Sequence, residues 1–413
     1  MLSSYRVLDL TTERGLLCGQ ILGDLGADVI KVEPPGGSPA RRLGPFYQDQ
    51  PHPDRSLLWW AYNRNKRSIT LDIATSEGKE IFHRLAANAH FLLESDNPGA
   101  MAQIGLGYND LAAINPSLIY VSISAFGQDG PKASYADSDL VILAASGPTI
   151  LSGDSDRAPL RLSVPQAYLH ACADAAAAAL LANHERHRSH RGQYIDVSAQ
   201  EAVTLATQAY ILSAPYGESE IQRMAGGIKV GPVRIRLLWP AKDGYVAITY
   251  LFGTAFGHFT KRLMDWIHEE GMCSDEIHDM DWIGFGGALF AGGEAIAKFE
   301  QLKLIVENFT KTKTKAELLQ GALQRTLLIA PVATIDEVVN SPQLAARNYW
   351  QELEHPELGQ KFKYPGPFVK FSETPIAYRR RPPTVGEHNH EVYVRELGFT
   401  EQQLAGLQSR GAI

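Results

Sequence analysis

Residues 5–33 read YRVLDLTTERGLLCGQILGDLGADVIKVE. YRVLDL and DVIKVE have the composition and spacing of strands, and LLCGQILGDLG between them has the apolar spacing of a helix. The pattern repeats downstream: ITLDI reads as a strand, SEGKEIFHRLAANA as a helix, and FLLES and LIYVSISAF as two more strands. Strands interleaved with helices predict an α/β fold with a doubly wound, Rossmann-like parallel sheet. No G-x-G-x-x-G follows the first strand, since the local glycines fall in GQILGDLG, so a nicotinamide cofactor is not indicated.

Composition narrows the class. The chain has 413 residues, 45% of them hydrophobic and 21% charged, which is ordinary for a globular protein and too long for a single core. A formal net charge of −7 argues against nucleic acid or an anionic membrane as the main partner. There is no apolar run long enough to span a bilayer, and MLSSYRVLDL lacks the basic and apolar regions of a signal peptide, so a cytoplasmic location is expected. Cys18, Cys172 and Cys273 are too few and too scattered for a disulfide framework or a zinc site. Cys18 and Cys172 lie in apolar settings that suit packing.

A second stretch bears on chemistry: residues 161–198, RLSVPQAYLHACADAAAAALLANHERHRSHRGQYIDVS. Pro165 can open a helix, and the Ala/Leu run after it predicts a buried helix that lets neighbouring backbones approach closely. The segment from His184 to His190 ends the helix with cations suited to its negative pole, Gly192 closes it, and Tyr194, Ile195 and Val197 begin a strand.

With its flanks, this block resembles the family III CoA-transferases. The resemblance runs through VLDLT (residues 7–11), CGQILGDLGADVIKVEPPGGSPARRLGP (18–45), NRNKRSITLD (63–72), PGAMAQIGLGY (98–108) and NPSLIYVSISAFGQDGP (115–131). It continues in RGQYIDVS (191–198), GEHNHEV (386–392) and LGFT (397–400). In that family the helix reads VP-x-x-D about 25 residues before the glutamine of RGQ, and counting back from Gln193 lands on Tyr168. The family's aspartate attacks an acyl-CoA thioester and relays the acyl group through an anhydride and an aspartyl-CoA thioester. A phenol is protonated at neutral pH and its ester would relay poorly, so Tyr168 is not a substitute nucleophile and no catalytic residue is assigned. Asp174 is the nearest acid, but six residues along a helix turn it to another face.

Other departures agree with this. Arg41, Arg42, Lys66 and Arg67 match basic positions of the family and are the expected contacts to the CoA phosphates, although such cations also occur as ordinary surface or turn residues. The family's lysine after LDL becomes Ala74, its ENxRPG becomes Ser95-Asp96-Asn97 before PG, and its MERLGL arginine becomes Gln103. Asp139 is kept, the glutamine of FDLVAQA becomes Leu143, and Ser138 stands where the racemase subgroup has histidine. The first loop carries Arg14-Gly15-Leu16 in place of AGP.

From about Ser213 to Gly227 the pattern breaks, which is read as passage into a smaller α+β domain. The expected organisation is 1–212 and 330–413 forming a large domain from both chain ends, with 213–329 the small one. In the middle segment VRIRLLWPAKDGYVAITYL reads as a hairpin turning at Lys242-Asp243-Gly244, and GFGGALFAGG as a connection rather than a phosphate loop. His184, His187 and His190 lack an acidic partner in register, so no metal is expected, and Arg379 to Arg381 read as a solvated face.

The resemblance implies an interlocked dimer with CoA thioesters as substrates and no permanently bound cofactor. A retained frame beside a lost nucleophile implies the non-catalytic subunit of a heteromeric CoA-transferase, partnered by a homologous chain that keeps the aspartate. It would move CoA from a donor such as succinyl-CoA to a carboxylic acid such as benzylsuccinate, with this chain inactive alone. The alternatives are an active homodimer with a displaced nucleophile, and a CoA-ester-binding or regulatory homologue.

Overall fold

The computed structural model describes residues 1–216, 223–230 and 233–413. Its centre is a six-stranded sheet of β1 (Arg6–Asp9), β2 (Asp28–Glu33), β3 (Lys66–Thr70), β4 (Phe91–Glu94), β5 (Ile119–Ser124) and β6 (Tyr194–Ser198). The order is β3-β2-β1-β4-β5-β6 and every pairing is parallel. The winding therefore reverses between β1 and β4, where sheets of this kind open a crevice at their carboxyl ends. The strand read at ITLDI begins earlier, at Lys66, because Lys66 pairs with Val29 in register.

Alternation within each strand divides the core. Val7, Val29, Leu93 and Val121 pack on one face with Leu22, Cys18 and the buried alanines of the long helix. Leu8, Ile30, Ile69 and Leu92 pack on the other with Ile81, Phe82, Leu111, Val392 and Leu404. Both faces of the sheet are covered, as a parallel sheet requires.

The helices packed with this sheet include α1 (Leu16–Asp24), α2 (Ser76–Ala86), α3 (Tyr108–Ile114), α4 (Asp139–Ala145) and α5 (Ala167–Ser189). The alanine run fulfils its expected role, with Ala171, Ala175, Ala176, Ala179 and Ala182 all in the core beside α1. The end of α5 falls in the histidine-rich stretch, as expected, but the residue that closes it is His190 and not Gly192. The helix continues through the histidine-rich stretch to Ser189, and His190 closes it in the left-handed region at φ 56°. Arg186 holds that last turn in place, donating from Nη1 to the carbonyls of His90 and Ser117 at 2.8 and 3.1 Å. Gly192 lies beyond the helix, and a Cβ there would sit 1.9 Å from the Leu118 carbonyl oxygen.

By internal contacts the chain forms two units, Met1–Pro148 with Leu162–Ile211 and Ala345–Ile413, and Thr149–Arg161 with Leu212–Leu344. In the second, β7 (Gly227–Val230) pairs with β8 (Val233–Arg236), and β9 (Leu238–Ala241), β10 (Gly244–Ile248) and β11 (Ile329–Pro331) form an antiparallel sheet. The hairpin read at Lys242-Asp243-Gly244 is the β9–β10 turn. Helices α6 (Gly257–Glu269), α7 (Phe285–Ala291), α8 (Glu294–Thr312) and α9 (Lys315–Arg325) complete it around Trp239, Trp266 and Phe299. The expected connection GFGGALFAGG is corrected: Phe285–Ala291 is helical, because Phe285 and Leu289 pack into this core. Part of the passage read from Ser213 to Gly227 lies outside the described residues.

Of the expected solvated face at Arg379 to Arg381, Arg379 and Arg380 are exposed and Arg381 is half-buried, and two of these arginines have further roles. Arg379 donates to the carbonyls of Gly23, Gly26 and Ala27 at the end of α1, and Arg381 pairs with Glu357 and Glu387. Arg379 thus ties the chain's last segment to the end of its first helix, satisfying carbonyls that a helix end leaves open.

Candidate functional site

Tyr168 lies in the first turn of α5 and lines a cavity of about 530 Å³. Its hydroxyl donates to Asp137 Oδ1 at 2.7 Å, and Asp137 Oδ2 meets Arg14 Nη2 at 2.9 Å. Arg14 also donates to Asn97 Oδ1 at 3.2 Å and the Ser95 carbonyl at 3.4 Å. Burial, reinforced by the hydrogen bond to Asp137, pushes the Tyr168 phenol well above its ordinary value. The group at this position is therefore a neutral phenol whose proton is already engaged.

The start of α5 has no side-chain cap of its own; Asp139 supplies one from α4. Asp139 Oδ1 accepts the amides of Gln166 and Ala167 at 2.6 and 2.8 Å, neutralising donors that a helix N-terminus leaves unsatisfied. Ser138 caps α4 by accepting the Val141 amide, and Leu143 belongs to the core. Asp174 is exposed and does not line the cavity. Cys172, one turn after Tyr168, does line it, and its thiol donates to the Arg14 carbonyl at 3.3 Å. Burial pushes that thiol up to about 12, so it is not a thiolate at neutral pH.

The four expected CoA-binding cations are not brought together. Arg41 is fully buried: it grips Glu33 through Nε at 2.6 Å and Nη2 at 2.8 Å, meets Asp54 at 2.8 Å, and stacks 3.7 Å above the Trp59 ring. Lys66 donates to Asp9 Oδ2 at 2.8 Å and the Leu16 carbonyl at 2.9 Å. Arg67 is held by Asp28 at 2.6 Å, by Glu391 at 3.0 Å and by Glu396. A phosphate would have to displace a carboxylate from each of these three. Arg42 is exposed and makes no ion pair among the described residues.

Residue reasoning missed Asp137 and Asp9. Asp137 stands just before a helix, and nothing in its local pattern separates it from a cap. Asp9 ends β1 at the winding reversal, fully buried, with Thr11, Lys31 and Lys66 around its carboxylate. Burial alone would raise it, but the two lysines outweigh burial and hold the carboxyl down at about 2. The signal was available: a strand ending in Asp9, opposite Lys31 of the neighbouring strand, with Lys66 on the strand beyond that one. The positions that depart from the family pattern have local roles or none. Ser95 accepts the Thr12 amide at 2.9 Å, while Ala74 and Gln103 are exposed.

This fold, with an active-site-type helix starting beside the crevice, defines a class, and comparison places the chain in it. CoA-transferase family III matches residues 2–389, and the chain belongs to that family. It is 33% identical to the BbsE subunit of succinyl-CoA:(R)-benzylsuccinate CoA-transferase from Thauera aromatica, over 100% of this chain and 98% of that one. It is 32% identical to succinyl-CoA–D-citramalate CoA-transferase of Chloroflexus aurantiacus, over 100% and 98%. A CAIB/BAIF family protein from Brucella suis superposes with a TM-score of 0.80 at 28% identity, covering 95% of this chain and 98% of that one. Among the described residues no helix is long and apolar enough to cross a membrane.

Proposed function

We propose that this chain is the non-catalytic subunit of a heteromeric CoA-transferase that moves CoA from succinyl-CoA to a carboxylic acid, with (R)-benzylsuccinate the acceptor suggested by the BbsE relative. The observation that carries this reading is the Tyr168 hydroxyl, hydrogen-bonded to Asp137 where the family presents a carboxylate to the thioester. A second relative, from Chloroflexus aurantiacus, is named as the beta subunit of a succinyl-CoA–L-malate CoA-transferase, at 28% identity. In the proposed assembly a homologous chain supplies the aspartate, the two chains interlock, and residues 1–212 and 330–413 form the large domain and 213–329 the small one. CoA contacts on this chain are proposed for Arg42, while Arg41, Lys66 and Arg67 hold the fold. We infer a cytoplasmic location for the assembly.

The companion's carboxylate attacks the thioester carbonyl and expels CoA thiolate; the thiolate then attacks the resulting anhydride, releasing succinate and leaving an aspartyl-CoA thioester. Tyr168 takes no part. The test is to co-express the chain with a homologue that carries the VP-x-x-D aspartate, incubate with succinyl-CoA, trap with hydroxylamine, and locate the modified acid by peptide mass spectrometry. A hydroxamate on the companion and none here is expected.

One observation favours a second reading, an active chain with a displaced nucleophile: Asp137 is a carboxylate 2.7 Å from the Tyr168 hydroxyl. Against it, both of its oxygens are engaged, by Tyr168 and by Arg14. A hydroxamate on Asp137 would replace the first reading by this one.

A further inference from the structure

The wall of the Tyr168 cavity is unusual in that its polar groups are largely paired with one another. Tyr168 serves Asp137, Asp137 is held by Arg14, Asp139 Oδ1 takes two helix amides, and the Cys172 thiol bonds the Arg14 carbonyl. Among the described residues the exceptions are Asp139 Oδ2, which is buried and without a partner, and the Glu13 carboxylate and Tyr62 hydroxyl, which make no hydrogen bond or ion pair. Apart from these three groups, the surface left to face an occupant is mostly hydrocarbon, from Leu16, Leu17, Leu43, Leu58 and Leu169, with the ring of Tyr62. At about 530 Å³ the space falls in the usual range for a small-molecule site.

Charge decides which molecules fit. Three carboxylates, those of Glu13, Asp137 and Asp139, stand on this wall against the single guanidinium of Arg14, and that guanidinium is already taken. A carboxylate or phosphate entering here would lose its hydration and gain no free cation, whereas an uncharged apolar group would lose only its contact with water. We propose that the cavity binds an uncharged aryl or branched alkyl group, non-covalently. The inference rests on the reading that Tyr168 has replaced the nucleophile, because a cavity built for acyl transfer must present a carboxylate that is available to attack. The occupant is a small molecule, such as an aryl alcohol or the hydrocarbon part of a thioester.

The test uses the full-length protein, with any companion that co-purifies, titrated calorimetrically with phenylpropanol and with phenylpropionate, which share a skeleton and differ in charge. The alcohol is expected to bind at least about tenfold more tightly. Leu17→Trp, which fills the cavity, is expected to abolish alcohol binding. Asp137→Asn removes a negative charge and releases Arg14, and is expected to raise phenylpropionate affinity to that of the alcohol or beyond. Absence of alcohol binding, or a carboxylate that binds the unaltered protein as tightly as the alcohol, overturns the proposal. Because that ratio is read on the unaltered protein, a misfolded variant does not blur the outcome. Failure here with a hydroxamate on the companion defeats only this inference; a hydroxamate on this chain defeats the reading it rests on.

Discussion

At the residue scale, Tyr168, Asp137 and Arg14 form a unit whose members should respond differently to removal. Tyr168→Phe deletes one hydrogen bond and leaves Asp137 its arginine, so a loss of about 1 kcal/mol in denaturant unfolding is expected. Arg14→Gln leaves the Asp137 carboxylate without its cation and should cost more, about 2 kcal/mol. Tyr168→Asp should not create a transferase from this chain alone, because Ala74, Asn97 and Gln103 still lack the family's polar contacts; hydroxylamine trapping on the variant checks this. Two buried acids set opposite pH responses. Asp9 is held at about 2 by Lys31 and Lys66 against its burial, so its contribution is complete above the unfolded value near 4 and fades as pH falls towards 2. Burial pushes Glu94 up to about 7, so the folded state favours its proton and stability drains away as pH rises from the ordinary glutamate range to neutrality. Glu94→Gln should flatten that slope and leave the protein about 3 kcal/mol more stable at pH 8, measured by unfolding across pH.

At the element scale, α1 and α5 can lie close only because the residues between them are small. Gly19 faces the end of β1, where an added Cβ would stand 2.2 Å from Asp9 Oδ2. Gly19→Ala is therefore expected to lower stability by about 3 kcal/mol, with thermal unfolding as the measurement. His190 closes α5 at φ 56°, a conformation that costs a non-glycine residue about 1 kcal/mol, so His190→Gly should stabilise by that amount. The elements most legible in the sequence were those set by local pattern: the strand–helix alternation, the alanine helix and the hairpin at Asp243. Where reading went astray, the deciding contact came from far along the chain. The end of α5 is set by Arg186 gripping carbonyls near His90 and Ser117, and Phe285–Ala291 is helical because Phe285 and Leu289 meet a distant core.

At the scale of the whole molecule, each unit carries bare apolar side chains. Leu181 of the first is 71% exposed, and Leu323 and Ile335 of the second are 74% and 82% exposed. Side chains of this kind in number suggest burial against another chain. Expressed alone, the protein is expected to self-associate polydispersely in sedimentation velocity, and to give a single defined species when co-expressed with its homologue. The spacing of Tyr168 from Gln193 was legible in the sequence; the groups that engage its hydroxyl were not, because Asp137 and Arg14 reach this site from separate loops.

Arg41, Lys66 and Arg67 look inward to Glu33, Asp9 and Asp28. Selection for folding alone would preserve all three signatures after turnover had ceased. If the proposed function holds, genome surveys that count transferases by those signatures would enrol silent relatives beside working ones, and the residue at the head of the alanine helix would tell them apart.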